Sequence, residues 1–408
     1  MDHLNSEMIH YLNKIKVLLK RHRALNYLNA CMKSYMQERE IIKSHHHYFV
    51  EARRRCLSVR GKNELEIALR ERIKSRGIYP VPKTKDTIHI FLAFGQHNWE
   101  SVLPLALAPF GRVTTFSWQA RNIPDSYKKW LNWRASLNAE MLEVFKKAYS
   151  EQPIDAMVGY LTAFTTIKDT LFEIGKRGVV IFNMCWDDKI SFSRRSAKGE
   201  SRGIKDIVSA VDLNLSNAPD SCSKYTVECG LSMFWPEAAS PEIHKPYNLP
   251  FDFDISFVGG KYGWRPNFME RLRRMGIEVV CFGKGWDNGP LSEEDMVKVY
   301  SRSRINLGFA GIGYSKKFMC LKGRDFEVPM SGGLYLTQGN PELSLVYNVG
   351  KEIITYKDEK DCAEKIRWLL ANPYEADKIR RAGRERALKD HSWEKRFFEI
   401  FHLAGILK

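Results

Sequence analysis

The spacing of apolar and polar positions changes character twice along this chain. Over the first 85 residues the apolar positions recur at helical intervals. Leu4, Met8, Tyr11, Leu12, Ile15, Val17, Leu18 and Leu19 form one stripe, and Leu65, Ile67, Ala68, Leu69 and Ile73 predict a second helix over 63–74. No strand pattern interrupts them. Between the stripes lie His45-His46-His47 and Arg53-Arg54-Arg55. Adjacent residues do not share a helix face, so the histidines read as structural or solvated rather than metal-binding. The arginines read as a solvated face, with docking on a phosphate-rich surface as the alternative. The segment ends at Tyr79-Pro80-Val81-Pro82.

From Thr87 short apolar runs alternate with helical stretches. Ile88–Phe94 is a strand, followed by the loop Gly95-Gln96-His97-Asn98 and a helix over 101–108. The run VTTFSW, a long helix from Ser126 to Tyr149, and the runs AMVGYL, GVVIFNMCW and DLNLS continue the series. Pro236, Pro241, Pro246 and Pro250 then break the chain. A second alternation begins with DISFVG and a helix near Arg265-Pro266, where proline suits a first turn. VVCFG, an acidic helix start at Ser292–Asp295, INLGF, LYLT and EIITY follow, and then a helical tail from Asp358 to Phe401. This rhythm predicts an α/β fold of two doubly wound, mainly parallel sheets with right-handed crossovers. The expected divisions are a basic helical extension (1–85), a first α/β domain (86–238), a proline-rich linker (239–251), a second α/β domain (252–390) and a C-terminal helix returning toward the first domain (391–408).

Composition narrows the setting. With 408 residues, 44% of them hydrophobic, the chain can bury two cores. No apolar run approaches the roughly 20 residues of a membrane span, and the N-terminus lacks a secretory signal's apolar core. Eight cysteines without CxxC pairs read as reduced thiols, which points to the cytoplasm. The net charge of +16 favours acidic partners. Much of it sits in Met1–Asp86, with 19 Lys/Arg against 9 Asp/Glu. That basic arm opens a peripheral position on an anionic membrane, or packing on the first domain or on a second copy as in an oligomer. No nucleic-acid motif is present, so nucleic acid ranks last among the partners.

Open α/β sheets bind ligands at the carboxyl ends of their strands, in the cleft between domains. Four loops there carry candidate chemistry: Gly95–Asn98, Asp187-Asp188, Gly259-Gly260-Lys261 and Gly283-Lys284-Gly285. The segment KGRDFEVPMSGGLYLT adds a helix expected from near Arg324 to Gly332-Gly333. It would hold Lys322 and Arg324 against a diphosphate and Glu327 against a pair of ribose hydroxyls. An amphipathic helix with ordinary surface charges is the plainer alternative.

From about Asp254 to Arg396 the chain resembles the nucleotide-binding half of CgeB-like, group 1-type GT-B glycosyltransferases. The landmarks are DISFVGGKYGWRPNFMERL, VVCFGKGWDNG, SRINLGF, KGRDFEVPMSGGLYLT, VGKEIITY and AGRERALKDHSWEKRF. The first half matches mainly in layout and at NMCWDD. The resemblance implies two facing Rossmann-like domains and sugar transfer from a nucleotide donor without an obligatory metal; the base is left open, with a UDP-sugar as the first choice of substrate and no separate cofactor. It implies that Glu327 binds the ribose, that Arg265 contacts the phosphates with Lys322 or Arg324, that Gly259 and Gly260 form the loop before Arg265, and that Gly283–Trp286 border the base or ribose. Gly332 and Gly333 would bring backbone amides to the phosphate or sugar. Of the two glutamates with seven residues between them that mark the best-known group 1 enzymes, Glu327 fits the second. The first falls at Met319, which leaves the sugar contact to another residue and the stereochemical course open.

Transfer to a hydroxyl of a glycan, lipid-linked or protein acceptor needs cations for the leaving diphosphate and, for inversion, a general base. His97, Asp187 and Asp188 are the candidate bases at strand ends. Trp99, Trp118, Trp130, Trp133 and Trp186 offer either packing or stacking on sugar rings. A nucleotide-sugar epimerase and a non-catalytic sugar-nucleotide-binding coat or assembly protein are the alternatives.

Overall fold

The computed structural model describes residues 23–95, 99–118, 127–195, 199–200 and 202–408. The stripe from Leu4 to Leu19 lies outside them. Apolar runs become the strands of two parallel sheets, and the central strands of the first sheet are buried on both faces. In the first lobe these are β1 (Ile88–Phe94), β2 (Gly111–Ser117), β3 (Ala156–Gly159), β4 (Val180–Cys185), β5 (Leu213–Ser216) and β6 (Ser232–Phe234). They lie in the order β2-β1-β3-β4-β5-β6, and every adjacent pair is parallel. The second lobe holds β7 (Phe253–Val258), β8 (Val280–Phe282), β9 (Ser303–Leu307), β10 (Tyr335–Gln338) and β11 (Ile354–Tyr356), in the all-parallel order β11-β10-β9-β7-β8. Both sheets share one wiring: the first strand lies between the second and third, and the winding reverses there. That reversal opens a crevice at the strand ends.

Thirteen α-helices cover the sheets among the described residues. They are α1 (Arg23–Arg54), α2 (Lys62–Ser75), α3 (Val102–Leu107), α4 (Tyr127–Glu151), α5 (Lys168–Gly175), α6 (Asp188–Ser191), α7 (Cys222–Val227), α8 (Arg265–Arg274), α9 (Glu293–Arg302), α10 (Arg324–Met330), α11 (Glu359–Ala371), α12 (Pro373–Asp390) and α13 (Trp393–Leu403). The Ser292 hydroxyl caps α9 by accepting from the Asp295 N–H at 3.1 Å. None of the described helices is long and apolar enough to cross a membrane. All eight cysteines are free thiols.

Two features of the N-terminal segment differ from the sequence reading. α2 is part of the first lobe's core rather than an appendage. Leu65, Leu69 and Ile73, spaced four apart, bury against the same cluster as Phe397 and Phe401 of α13, each burial contributing about 1.5–3 kcal/mol. α13 thus returns to the first lobe, where Phe401 meets Phe110 at 5.2 Å and Phe182 at 5.9 Å. The His and Arg triplets fall not between helices but on and just beyond the end of α1. His45 faces inward 3.9 Å from Asp220, and burial with the Lys224 charge lowers its pKa to about 4.

α1 spans about 48 Å at 1.5 Å per residue. Its later turns hold the first lobe, where the Tyr48 hydroxyl donates to Glu228 at 3.0 Å. Its middle holds the second: Gln37 accepts the Tyr314 N–H at 2.9 Å, and Glu38 accepts the Ser315 hydroxyl at 2.7 Å. Leu28, Met32, Tyr35, Ile42 and Phe49 remain exposed on the outer side.

Candidate active site

In the second lobe the crevice opens between β7 and β9, and two glycine loops shape its floor. Gly259 donates its N–H to Phe282 O at 2.8 Å, and Trp286 Nε1 donates to Gly259 O at 2.8 Å. Gly283 has φ +125°, and a Cβ there would lie 2.5 Å from Gly259 O, so only glycine lets the two loops meet. Gly260 supplies the carbonyl that accepts from Arg265 Nη1 at 3.0 Å.

Arg265 opens α8 and Arg324 opens α10, one from each side of the crevice. Arg265 is 5% exposed and stacks over Tyr262 at 4.1 Å. Burial and then the Arg324 charge depress its pKa to about 10. Arg324 Nη1 lies 3.4 Å from the Cβ position of Gly259, and its Nε is buried without a hydrogen-bond partner. Burial opposes its charge, but Tyr335, Tyr300, Tyr262 and Glu327 raise its pKa above the ordinary value. Lys322 behaves alike: burial opposes its charge, and Cys320, Asp187 and Glu237 outweigh it. Among the described residues none of these three cations makes an ion pair within 4.0 Å. Placing like charges together in a half-dry crevice is costly unless an anion joins them, and a diphosphate matches two guanidinium forks and an ammonium.

The carboxylates around them divide by role. Asp325 is buried and accepts the Lys322 N–H at 2.8 Å and the Tyr335 hydroxyl at 2.9 Å, so it pins the turn into α10. Glu327, one turn after Gly323, points back toward it. Its Oε1 lies 2.7 Å from the Cβ position of Gly323. Burial, opposed by Arg324 and reinforced by Glu293 and Asp325, pushes its pKa up to about 7. Glu237 Oε2, arriving from the first lobe, lies 2.8 Å from that same Cβ position. Sequence reasoning did not single out Glu237. The available signal was its place just beyond the strand SMF, at the same edge as Asp187.

Gly332 and Gly333 are elsewhere. They follow α10 at its far end, where Gly332 (φ +73°) donates to Pro329 O and Gly333 to Val328 O, both at 2.9 Å. Their amides terminate the helix, and seven helical residues carry them about 10 Å from the crevice. They cannot bring amides to a phosphate there.

From the first lobe, Asp187 follows β4, is exposed, and acts electrostatically on Lys322 and Glu237. Asp188 faces the other way. It is fully buried, accepts from the Ser216 hydroxyl at 2.5 Å and the Tyr225 hydroxyl at 3.1 Å, and burial pushes its pKa to about 6. A sealed carboxylate with those partners holds α6 in place and cannot meet an acceptor, which removes it as a base. His97 lies outside the described residues. Trp130 and Trp186 are packing residues: Trp130 Nε1 donates to Phe164 O at 3.1 Å, and Trp186 is buried 4.2 Å from Trp99. Trp99, Trp118 and Trp133 are partly buried against the first lobe's core.

The two lobes meet around this site. Lys189 is 7% exposed and donates to Met319 O at 2.7 Å and Glu342 at 2.6 Å. Asn217 donates to Leu321 O at 3.0 Å, and the Ser101 hydroxyl to Glu293 at 2.5 Å. The loop leading into Lys322 is thereby clamped on the first lobe. A groove of about 1300 Å³ adjoins the crevice, lined by Lys261, Tyr262, Trp286, Asn288 and, from α1, Asn29 and Lys33. Among the described residues no group of three or more His, Cys, Asp or Glu side chains is arranged to hold a metal ion.

Comparison with known structures places this architecture. A sucrose-phosphate synthase from Thermosynechococcus elongatus superposes with a TM-score of 0.55 at 16% identity, over 78% of this chain and 98% of that one. A glycosyltransferase from Rickettsia africae gives 0.55 at 10% identity, over 78% and 98%. The HepE protein of Anabaena, solved in complex with UDP-glucose, gives 0.52 at 10% identity, over 77% and 98%. The chain has the GT-B fold. At these identities the likeness concerns the fold alone. Residues 265–402, from Arg265 through α10 to α13, also match a family described as glycosyl transferase-like. No curated protein matches the chain.

Proposed function

We propose that this GT-B protein is a CgeB-like, metal-independent glycosyltransferase that moves a sugar from a nucleotide donor, UDP-linked as first choice, to an acceptor hydroxyl. The observation that carries this reading is the meeting of Arg265 and Arg324 at the reversal point of the second sheet, with Lys322 just before α10, three cations that make no ion pair among the described residues. The match of residues 265–402 supports it, as does the UDP-glucose bound in the HepE structure. In the reaction the bond from sugar C1 to the diphosphate oxygen breaks, and a bond from C1 to the acceptor oxygen forms. The three cations neutralise the charge that grows on the departing diphosphate. Glu327 accepts from the ribose hydroxyls. Asp187, exposed across the cleft, takes the acceptor's proton in an inverting course.

Thermal shift and turnover across UDP-, GDP-, dTDP- and CMP-sugars test the reading. A UDP-sugar is expected to stabilise the protein by mass action and to be hydrolysed or transferred, with turnover unchanged by EDTA. Absence of both binding and turnover across that panel refutes the proposal.

Within the acceptor classes, the outer side of α1 favours a lipid-linked one at an anionic membrane. Arg39 lies over the exposed Tyr35 at 5.7 Å, and Arg53 over the exposed Phe49 at 4.5 Å, so cations and apolar groups share that side. That pairing matches anionic headgroups above acyl chains. Salt-sensitive co-sedimentation with phosphatidylglycerol vesicles is expected, and it should be lost when Tyr35, Ile42 and Phe49 are replaced by serine. Equal sedimentation of that variant, or none by the wild type, refutes the membrane reading.

A further inference from the structure

Glu237 is a buried carboxyl that the fold leaves without a hydrogen-bonding task. It is 6% exposed, three residues beyond the end of β6, and no described residue donates to it. Buried carboxyls are normally paired or hydrogen-bonded, because an unpaired one forfeits its hydration. Its surroundings make the placement costlier still. Burial raises its pKa well above the ordinary value, Lys322 opposes that, and Glu327, Asp325 and Asp187 add to it. Lys322 attracts it, yet the two are not within ion-pair distance. Folding stability therefore does not explain why a glutamate stands here.

Its position does suggest a task. The oxygen of Glu237 reaches the same point beside Gly323 as Glu327, but from the opposite lobe. Arg265, Arg324, Lys322 and Glu327 all belong to the second lobe. A group in transit must lie between the donor's phosphate and an acceptor on the first lobe. Glu237 and Lys322 border that space, one from each side.

We propose that Glu237 reads the transferred sugar by hydrogen-bonding its ring hydroxyls, with Lys322 opposite it. A hydroxyl both donates and accepts, so it satisfies the carboxyl in either protonation state. The proposal rests on the donor-binding reading above. It makes Glu237 a specificity residue contributed by the first lobe to a donor held mainly by the second.

The test compares wild type, E237Q and E237A in three measurements: calorimetric binding of UDP, steady-state hydrolysis or transfer with UDP-glucose, UDP-galactose and UDP-N-acetylglucosamine, and melting of the ligand-free protein. UDP affinity should stay within about twofold, because UDP lacks the sugar. The kcat/KM for the preferred donor should fall by about 10-fold, near the upper worth of a hydrogen bond to a neutral carboxyl, and discrimination among the three sugars should flatten. E237Q should melt at or above the wild-type temperature, whereas loss of a structural residue would lower it. Unchanged sugar discrimination with UDP binding intact overturns the role of Glu237 alone. A wild-type protein that binds neither UDP nor any sugar nucleotide overturns the donor reading, and this inference with it.

Discussion

Replacing Glu327 by glutamine should stabilise the empty protein while weakening its hold on a donor, and the structure sets both sizes. Its pKa stands at about 7 against an ordinary 4.5. At about 1.4 kcal/mol per pKa unit, ionising this carboxyl in the folded chain at pH 8 costs about 3 kcal/mol more than in the unfolded chain. The attraction of Arg324 is already part of that balance. The sign follows from the raised value. Below about pH 4.5 both states are protonated and no cost arises, the cost grows as pH rises toward 7, and above 7 it is complete. E327Q carries no such charge, so it should gain about 1–3 kcal/mol over wild type at pH 8, about 1–4 °C of melting temperature in a chain of this size, and almost nothing at pH 4.5. Hydrogen bonds from ribose hydroxyls to an ionised carboxylate are worth about 1.5–3 kcal/mol, so affinity for UDP-glucose should drop by about 10- to 150-fold. Scanning calorimetry at pH 4.5 and pH 8, with and without UDP-glucose, reads both effects. A variant that melts lower at pH 8 by the same margin as at pH 4.5, or that keeps the wild-type ligand shift, would refute the reasoning.

Three further outcomes separate the parts of the site. R324A removes a buried guanidinium whose Nε has no hydrogen-bond partner, and it should cut UDP affinity by about 100-fold with a shallower salt dependence in titration calorimetry. G283A forces a side chain onto a left-handed backbone 2.5 Å from Gly259 O, and should cost about 2–4 kcal/mol in chemical denaturation. The neighbouring aspartates should part company. D188A strips the acceptor from Ser216 and Tyr225 beside a buried Lys224 and should destabilise by about 2–4 kcal/mol, whereas D187A, at an exposed position, should change stability by less than about 0.5 kcal/mol while turnover falls about 100-fold.

Much of the architecture was legible because a parallel strand buried on both faces must be continuously apolar. IHIFLAF and GVVIFNMCW therefore declared β1 and β4, and the alternation with helices declared the two sheets. Short elements with mixed composition escaped. β6 is only Ser232–Phe234, and α5 is only eight residues, about two turns. The glycine pair at Gly332-Gly333 misled because glycine serves helix ends and phosphate loops equally. Only the direction of α10, running away from the crevice, separates the two uses. The pair Asp187-Asp188 was ambiguous for a similar reason: consecutive residues leave a strand end in different directions, so one meets the cleft and its neighbour meets Ser216.

Local periodicity and residue chemistry thus determined the kind of layers, the sites of the crossovers, and the presence near Lys322, Arg324 and Glu327 of groups suited to a nucleotide. Those properties depend on neighbours along the chain. The meeting of Arg265 with Arg324, the clamp of Lys189 on the loop at Met319, the span of α1 across both lobes, and the arrival of Glu237 beside Gly323 were decided only in three dimensions. Each joins residues far apart in sequence through a strand order and a lobe contact, and pairing across such distances leaves no periodic trace in either partner's own segment.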